Sequence, residues 1–184
     1  MNTRKWTQIG LTLLCSLGAV TVEAAPTLTV GSASGQAGAT VTLPVTFDPG
    51  TSSVASLQFS LALPPGLSTG TITPGAILTA AGKSVSSNLA GSTVTFIIFG
   101  FNQTPITSGS LLTTQLKIAL GTAVGSLSLP VSGVVYSDPN GAVIAAGAST
   151  GGTVSVLPPA PAITSAGTAT GKVGTAFNYQ ITAS

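Results

Sequence analysis

Short runs of alternating apolar and polar residues fill the chain from Thr27 to Val156, separated by glycine, proline, asparagine and aspartate. In VASLQFSLAL (Val54–Leu63), every second residue from Leu57 onward is a large apolar one, as in a strand with one buried face. Turn signals recur about every 8–12 residues, which is typical of β-sandwiches. No segment of useful length combines the helical period with capping residues. The pattern predicts an all-β antiparallel sandwich or jelly roll.

Seven runs predict strands at specific places. They are TLTV (27–30), TVTLPVTF (40–47), VASLQFSLAL (54–63), TVTFIIF (93–99), LLTTQLKIAL (111–120), SLSLPVSGVVY (126–136) and GTVSV (152–156). Pro44 and Pro130 interrupt two of these runs, so we expect them at edges or bulges, where a missing backbone donor costs nothing. We expect Gly31, Gly35 and Gly38 to form the turn between the first two strands.

The N-terminus has the layout of a secretory signal peptide, residues 1–24. Arg4 and Lys5 precede an apolar stretch of roughly a dozen residues, and small residues follow. Cleavage after Ala24 would place Val22 and Ala24 at the −3 and −1 positions. Cys15 is expected to leave with the signal rather than to carry a lipid, because Leu14 before it is too large for a lipoprotein site.

The character of the chain changes again after Leu157. Residues 158–162 contain three prolines and predict a stiff, extended linker. Residues 163–184 begin two more strand-like runs, but so short a unit cannot close a sandwich. We therefore expect one sandwich domain at 26–157, a linker at 158–162 and the start of a further β unit at 163–184.

The composition leaves few residues that could take part in catalysis, metal binding or nucleic-acid binding. The chain has no histidine and is 4% charged, and without the predicted signal it keeps three lysines against two aspartates, a net charge of +1. Such a chain offers no clustered cations for nucleic acid. Asp48 and Asp138 are its only carboxylate side chains, and both lie in turn-like contexts, FDPG and SDPNG, so we interpret them as turn-stabilising. We predict no catalytic residues, no metal site and no cofactor, and therefore no enzyme.

The strand TVTFIIF provides the candidate binding site. If Val94, Phe96 and Ile98 face the core, Ile97 and Phe99 project from the other face. Exposed apolar side chains on one strand are typical of a surface that binds a protein partner. The alternative is that a loop or the downstream unit covers them, or that the strand is buried on both sides. The candidate partner-binding residues are Ser56, Gln58, Ser60, Ile97, Phe99 and Gln115.

The succession of motifs resembles the cohesin domain. The motifs are VGSASGQAGATVTLPVTF (30–47), VASLQFSLALPPGL (54–67), ITSGSLLTTQLKIAL (106–120), YSDPNGAVI (136–144) and GGTVSV (151–156). The resemblance implies a nine-stranded jelly-roll sandwich that is secreted and, in cellulosomes, binds the dockerin modules of polysaccharide-degrading enzymes. Where cohesins carry Asn, Asp and Glu on the binding face, this chain offers mainly Ser, Thr and Gln. The tail, 161–183, resembles the first strands of bacterial immunoglobulin-like repeats.

Two functions remain open from the sequence. The first is a non-catalytic, secreted or cell-surface module that attaches to a protein partner, most simply a dockerin-like module, with no membrane span once the signal is removed. The alternative is a carbohydrate-binding module or a purely structural spacer. Sugar-binding modules usually stack sugars on exposed aromatic rings, and Tyr136 and Tyr179 lie far apart in the sequence.

Overall fold

A computed structural model describes residues 23–184, so the predicted signal peptide lies outside the described residues except for its last two positions. The described chain forms twelve strands and one short helix. They are β1 (Thr27–Val30), β2 (Ser32–Gln36), β3 (Thr40–Asp48), β4 (Ser56–Ala62), β5 (Leu67–Pro74), α1 (Ala76–Ala80), β6 (Ser84–Ala90), β7 (Thr93–Phe99), β8 (Gly109–Ile118), β9 (Gly125–Leu129), β10 (Val131–Ser137), β11 (Val143–Ile144) and β12 (Gly152–Leu157). The all-β sandwich expected from the sequence is confirmed.

The strands assemble into three sheets. A four-stranded sheet has the order β1-β3-β8-β5, and a five-stranded sheet has the order β11-β10-β4-β7-β6. The third sheet, β2-β12-β9, contains the parallel pairing of β12 with β2. Pairing within the first two sheets is antiparallel throughout.

The core is a single hydrophobic cluster to which all three sheets contribute. Alternation along the strands produces it: β3 and β4 bury every second side chain, as the sequence pattern predicts. Phe59 and Phe96 stack within it with ring centroids 4.8 Å apart. Tyr136 is fully buried beside Phe47, with a centroid distance of 5.7 Å. The sandwich is therefore held mainly by apolar burial.

The structure has twelve strands rather than the expected nine, and four of them, β2, β5, β6 and β11, lie outside the seven predicted runs. The chain also changes sheets at two places, after β1 and inside the predicted run 126–136. Gly31 separates β1 from β2, and a Cβ there would lie 2.8 Å from Cγ of Pro44. Pro130 separates β9 from β10 in the same way. The shortest of the additional strands, β11, has two residues. Proline and glycine thus mark sheet crossings, where no continuous ladder is needed.

The glycine turn is smaller than expected. Gly31 lies at the sheet crossing and Gly35 lies inside β2, so the expectation that both belong to the first turn is wrong. Only Gly38 occupies the turn, with a φ of +89° that favours glycine. Pro44 lies where β1 leaves β3, since their register ends with Val30 opposite Val45, so its missing N–H removes no bond to β1.

Two further elements complete the described chain. Helix α1, which the sequence did not predict, begins after Gly75 and has no side-chain cap. Beyond Leu157, the residues are largely exposed and form one antiparallel bridge, between Ile163 and Ala183. None of the helices in residues 23–184 is long and apolar enough to cross a membrane.

Candidate docking face

The outer surface of the five-stranded sheet carries most of the predicted binding residues. Gln58 of β4 lies opposite Ile97 of β7 and, on its other side, opposite Val135 of β10. Ile97 in turn lies opposite Ser86 of edge strand β6. Because directly opposed residues in antiparallel strands point to the same face, these side chains form one row across four strands.

A second row, next to the first, is polar. Ser60 lies opposite Thr95, and their hydroxyl oxygens are 2.9 Å apart in a cross-strand hydrogen bond. Asn88 of β6 continues this row on the far side of Thr95. The hydrogen bond ties the two central strands together at the surface, so this part of the face is held in one arrangement.

The apolar part of the face surrounds a shallow depression of about 250 Å³. Ile97 is 42% exposed, Phe99 39% and Val135 41%. Ser56 and Gln58 line the same depression and supply its polar groups. We define the docking face as Ser56, Gln58, Ser60, Ile97, Phe99 and Val135. It combines an apolar centre with a hydroxyl and amide surround, which is the composition of many protein interfaces.

No member of the docking face is charged. Lys83, directly before β6, is only 6% exposed and donates from Nζ to the backbone oxygen of Asn102 at 2.8 Å. Burial lowers the pKa of this amine. Its charge is therefore directed into the loop rather than toward the face.

The structure brings together five of the six predicted partner-binding residues. It also places Val94, Phe96 and Ile98 in the core, as predicted. Gln115 does not join them, because it lies on β8 opposite Thr42, on the outer face of the four-stranded sheet. Its inclusion is corrected for that reason: alternation shows that a residue faces outward but not which sheet it belongs to.

Sequence reasoning missed Val135. Within VSGVVYS, the β10–β4 register shifts between Ser132 and Val135, so simple alternation does not reveal which valine faces outward. The available signal was the glycine, Gly133, whose φ is +59° and which marks the irregularity.

Asp48, Asp138 and Tyr136 have structural roles rather than roles in binding. The Asp48 carboxylate accepts from the backbone N–H of Gly50, and that of Asp138 accepts from the N–H groups of Asn140 and Ala142. Both stabilise turns, as the sequence indicates. Tyr136 is buried, so its ring is not available for stacking on a sugar. Within the described residues there is no group of three or more metal-ligating side chains.

These features define the class of the molecule. A β-sandwich that presents an uncharged and partly apolar sheet face has the features of a β-sandwich binding module. The model of the cohesin domain family matches residues 26–156, and the chain belongs to this family. Cohesin domains are non-catalytic protein-binding modules. No curated protein sequence matches the chain.

Solved cohesin structures share the fold. A non-cellulosomal cohesin from the archaeon Archaeoglobus fulgidus is 21% identical, with 73% of this chain and 93% of that chain covered and a TM-score of 0.63. The sixth cohesin of Acetivibrio cellulolyticus scaffoldin B, solved in complex with a mutant Cel5 dockerin, is 20% identical, with coverages of 73% and 100% and a TM-score of 0.63. The cohesin CaCohA2 from Clostridium acetobutylicum is 23% identical, with coverages of 72% and 90% and a TM-score of 0.59.

Proposed function

We propose that this chain is an attachment module that binds a dockerin-type protein partner through the docking face. The observation that carries the proposal is the group of three exposed apolar side chains, Ile97, Phe99 and Val135, on an uncharged sheet face of a cohesin-family chain. A cohesin similar to this one was solved in complex with a dockerin, which supports a partner of that class.

The geometry suits a partner with a convex apolar surface. Ile97 and Phe99 can enter an interface with little ordering cost, because the strand already fixes their backbone. Gln58, between Ile97 and Val135, supplies an amide NH2 group as donor and a carbonyl oxygen as acceptor in the depression. Ser56 and Ser60 flank it and provide the polar surround. Affinity then comes mainly from apolar burial, and the amide sets the orientation.

The remaining parts of the chain support an exported, modular context. We propose that residues 1–24 are removed as a signal peptide and that 26–157 is the cohesin domain. We also propose that 158–162 is a linker to an immunoglobulin-like repeat that begins at 163. A module in this setting would attach a partner at or outside the cell surface, and a link to polysaccharide degradation follows if the partner dockerin belongs to a hydrolase.

Isothermal titration with a panel of dockerin modules, including the Acetivibrio Cel5 dockerin, tests the function. The Ile97→Ser, Phe99→Ser double variant should lose at least tenfold in affinity for any dockerin that the unaltered chain binds. Leu120→Ser is the matched control, since Leu120 is equally apolar, 87% exposed and outside the docking face. It should leave the affinity within twofold.

Pull-down on insoluble glucan, run in parallel, separates the alternative function. Binding to glucan together with no binding to any dockerin would overturn the proposal. Dockerin binding that survives both serine substitutions would place the interface elsewhere on the chain. Circular dichroism of each variant checks that it is folded.

A further inference from the structure

Strand β6 ends the five-stranded sheet with an open edge. It pairs with β7 at every residue from Ser84 to Ala90 without a register shift. Its other side has no strand partner within the described residues, 23–184. The backbone N–H and C=O groups of every second residue of this seven-residue strand are therefore unpaired along its open side.

The other sheet edges in residues 23–184 are shorter or interrupted. β5 is longer, but its register shifts between Thr69 and Ile72 and it ends in Pro74. β1 has four residues, β2 and β9 five each, and β11 two. Short length, bulges and proline are the usual protections of an edge strand. Among the described edges, β6 is the longest that carries none of these.

Charge does not protect β6 either. Its sequence, SVSSNLA, contains no charged residue and no proline. A charged residue beside an edge strand can hinder its pairing with another chain, and Lys83 lies directly before β6. However, its Nζ donates a hydrogen bond to the backbone oxygen of Asn102 at 2.8 Å, so the charge is held in that loop. The edge is therefore open to pairing with a neutral strand.

The sequence of β6 is complementary to itself. If two copies of β6 run antiparallel about a two-fold axis at Ser87, Val85 of one copy faces Leu89 of the other. Ser86 then faces Asn88 on the opposite surface of the sheet. Leu89 points to the inner side of the sheet, since it lies opposite Val94, yet it is 51% exposed. A second copy would cover it with Val85.

We propose that β6 is a self-association edge that pairs with β6 of a second copy of this chain. The pairing joins two five-stranded sheets into one continuous sheet of ten strands. The same patch serves both copies, as a closed two-fold dimer requires. The interface is narrow, so the dimer is weak and forms at high local concentration. This inference does not depend on the function proposed for the docking face.

Oxidative cross-linking tests the register directly. The variants are made in the full chain with Cys15→Ser, which removes its one cysteine. In the proposed register, residue 87 faces its own copy at a Cβ separation of about 4.5–5.5 Å, which with a small adjustment permits a disulfide. Residue 86 is diagonal to its own copy, at about 7–8 Å, which does not. Ser87→Cys should therefore give a covalent dimer under mild oxidant, and Ser86→Cys should not.

A mixture of Ser86→Cys and Asn88→Cys chains should restore the cross-link, because these two positions face each other. Equal cross-linking of all single variants, or of none, would overturn the proposal.

Sedimentation velocity gives an independent readout. Ser87→Lys places two like charges on the axis and should raise the dimer dissociation constant at least tenfold. Ser126→Lys makes the same change at an exposed serine of edge strand β9 and should leave it within twofold. An unaltered chain that stays monomeric up to millimolar concentration would also refute the pairing, and thermal unfolding of each variant confirms that it is folded.

Discussion

Two neighbouring isoleucines of β7 should respond in opposite ways to the same substitution. Ile98 is fully buried, lying opposite Leu57 on one side and Val85 on the other. Ile97 is 42% exposed on the docking face. Ile97→Ala and Ile98→Ala remove identical atoms from adjacent positions, so any difference between them reports the two faces of the strand.

The expected magnitudes follow from burial. Ile98→Ala removes apolar contacts and leaves a cavity, which lowers the free energy of unfolding by about 2–5 kcal/mol. Ile97→Ala trims a partly exposed side chain on the outer face and leaves no cavity in the core, so its effect is mainly the lower strand preference of alanine, about 0.5–1 kcal/mol. For partner binding the order reverses: Ile97→Ala should weaken dockerin affinity about tenfold or more, and folded Ile98→Ala much less.

Equilibrium unfolding in urea measures the first effect, with the slope m checked to be the same in all three proteins. Titration with a bound dockerin measures the second. A loss of more than about 2 kcal/mol for Ile97→Ala would show that Ile97 is part of the core and would refute the docking face. An equal decrease in the free energy of unfolding for the two variants would contradict the assignment of Ile97 to the outer face and Ile98 to the core.

Three further predictions concern charge and backbone. Burial lowers the pKa of Lys83 from its ordinary value of 10.5, so the folded chain holds this proton less tightly than the unfolded chain does. Thermal stability should therefore rise as the pH increases through the lowered pKa toward 10. Lys83→Met should abolish that rise, and a rise that persists in this variant would contradict the assignment. Gly75→Ala should destabilise the chain by about 1–3 kcal/mol in urea, because its Cβ would collide with the backbone oxygen of Ser110, whereas Gly167→Ala, with open space around it, should have little effect. Dockerin affinity should change less than about twofold between 0.05 and 0.5 M NaCl by titration, because the docking face has no charge to screen. A steep salt dependence would point to a different surface.

Alternation predicts the interior well because burial on one face is a local property of each strand. The assignments of Leu57, Phe59 and Phe96 to the core needed only the period of two. The pattern did not predict helix α1, because AILTA is too short to show a helical period and lacks a capping side chain. Its position depends on packing against β8, which is distant in the sequence.

Sheet membership is a non-local property, and there the sequence was insufficient. Gln58 and Gln115 both lie between two buried residues, yet one lies on each of the two large sheets. Pairing between distant strands decides this, and no local pattern encodes it. Val135 was missed for a related reason, since a bulge in β10 sets its direction.

Because Gln58 and Gln115 lie on different sheets, they can be used to test whether the outer face of the five-stranded sheet binds the partner. A photo-activated cross-linking amino acid is placed at Gln58 in one protein and at Gln115 in another, and each is irradiated with a dockerin that the unaltered chain binds. If the five-stranded sheet binds the partner, position 58 should give a covalent complex and position 115 should give none. Cross-linking from 115 without cross-linking from 58 would contradict it.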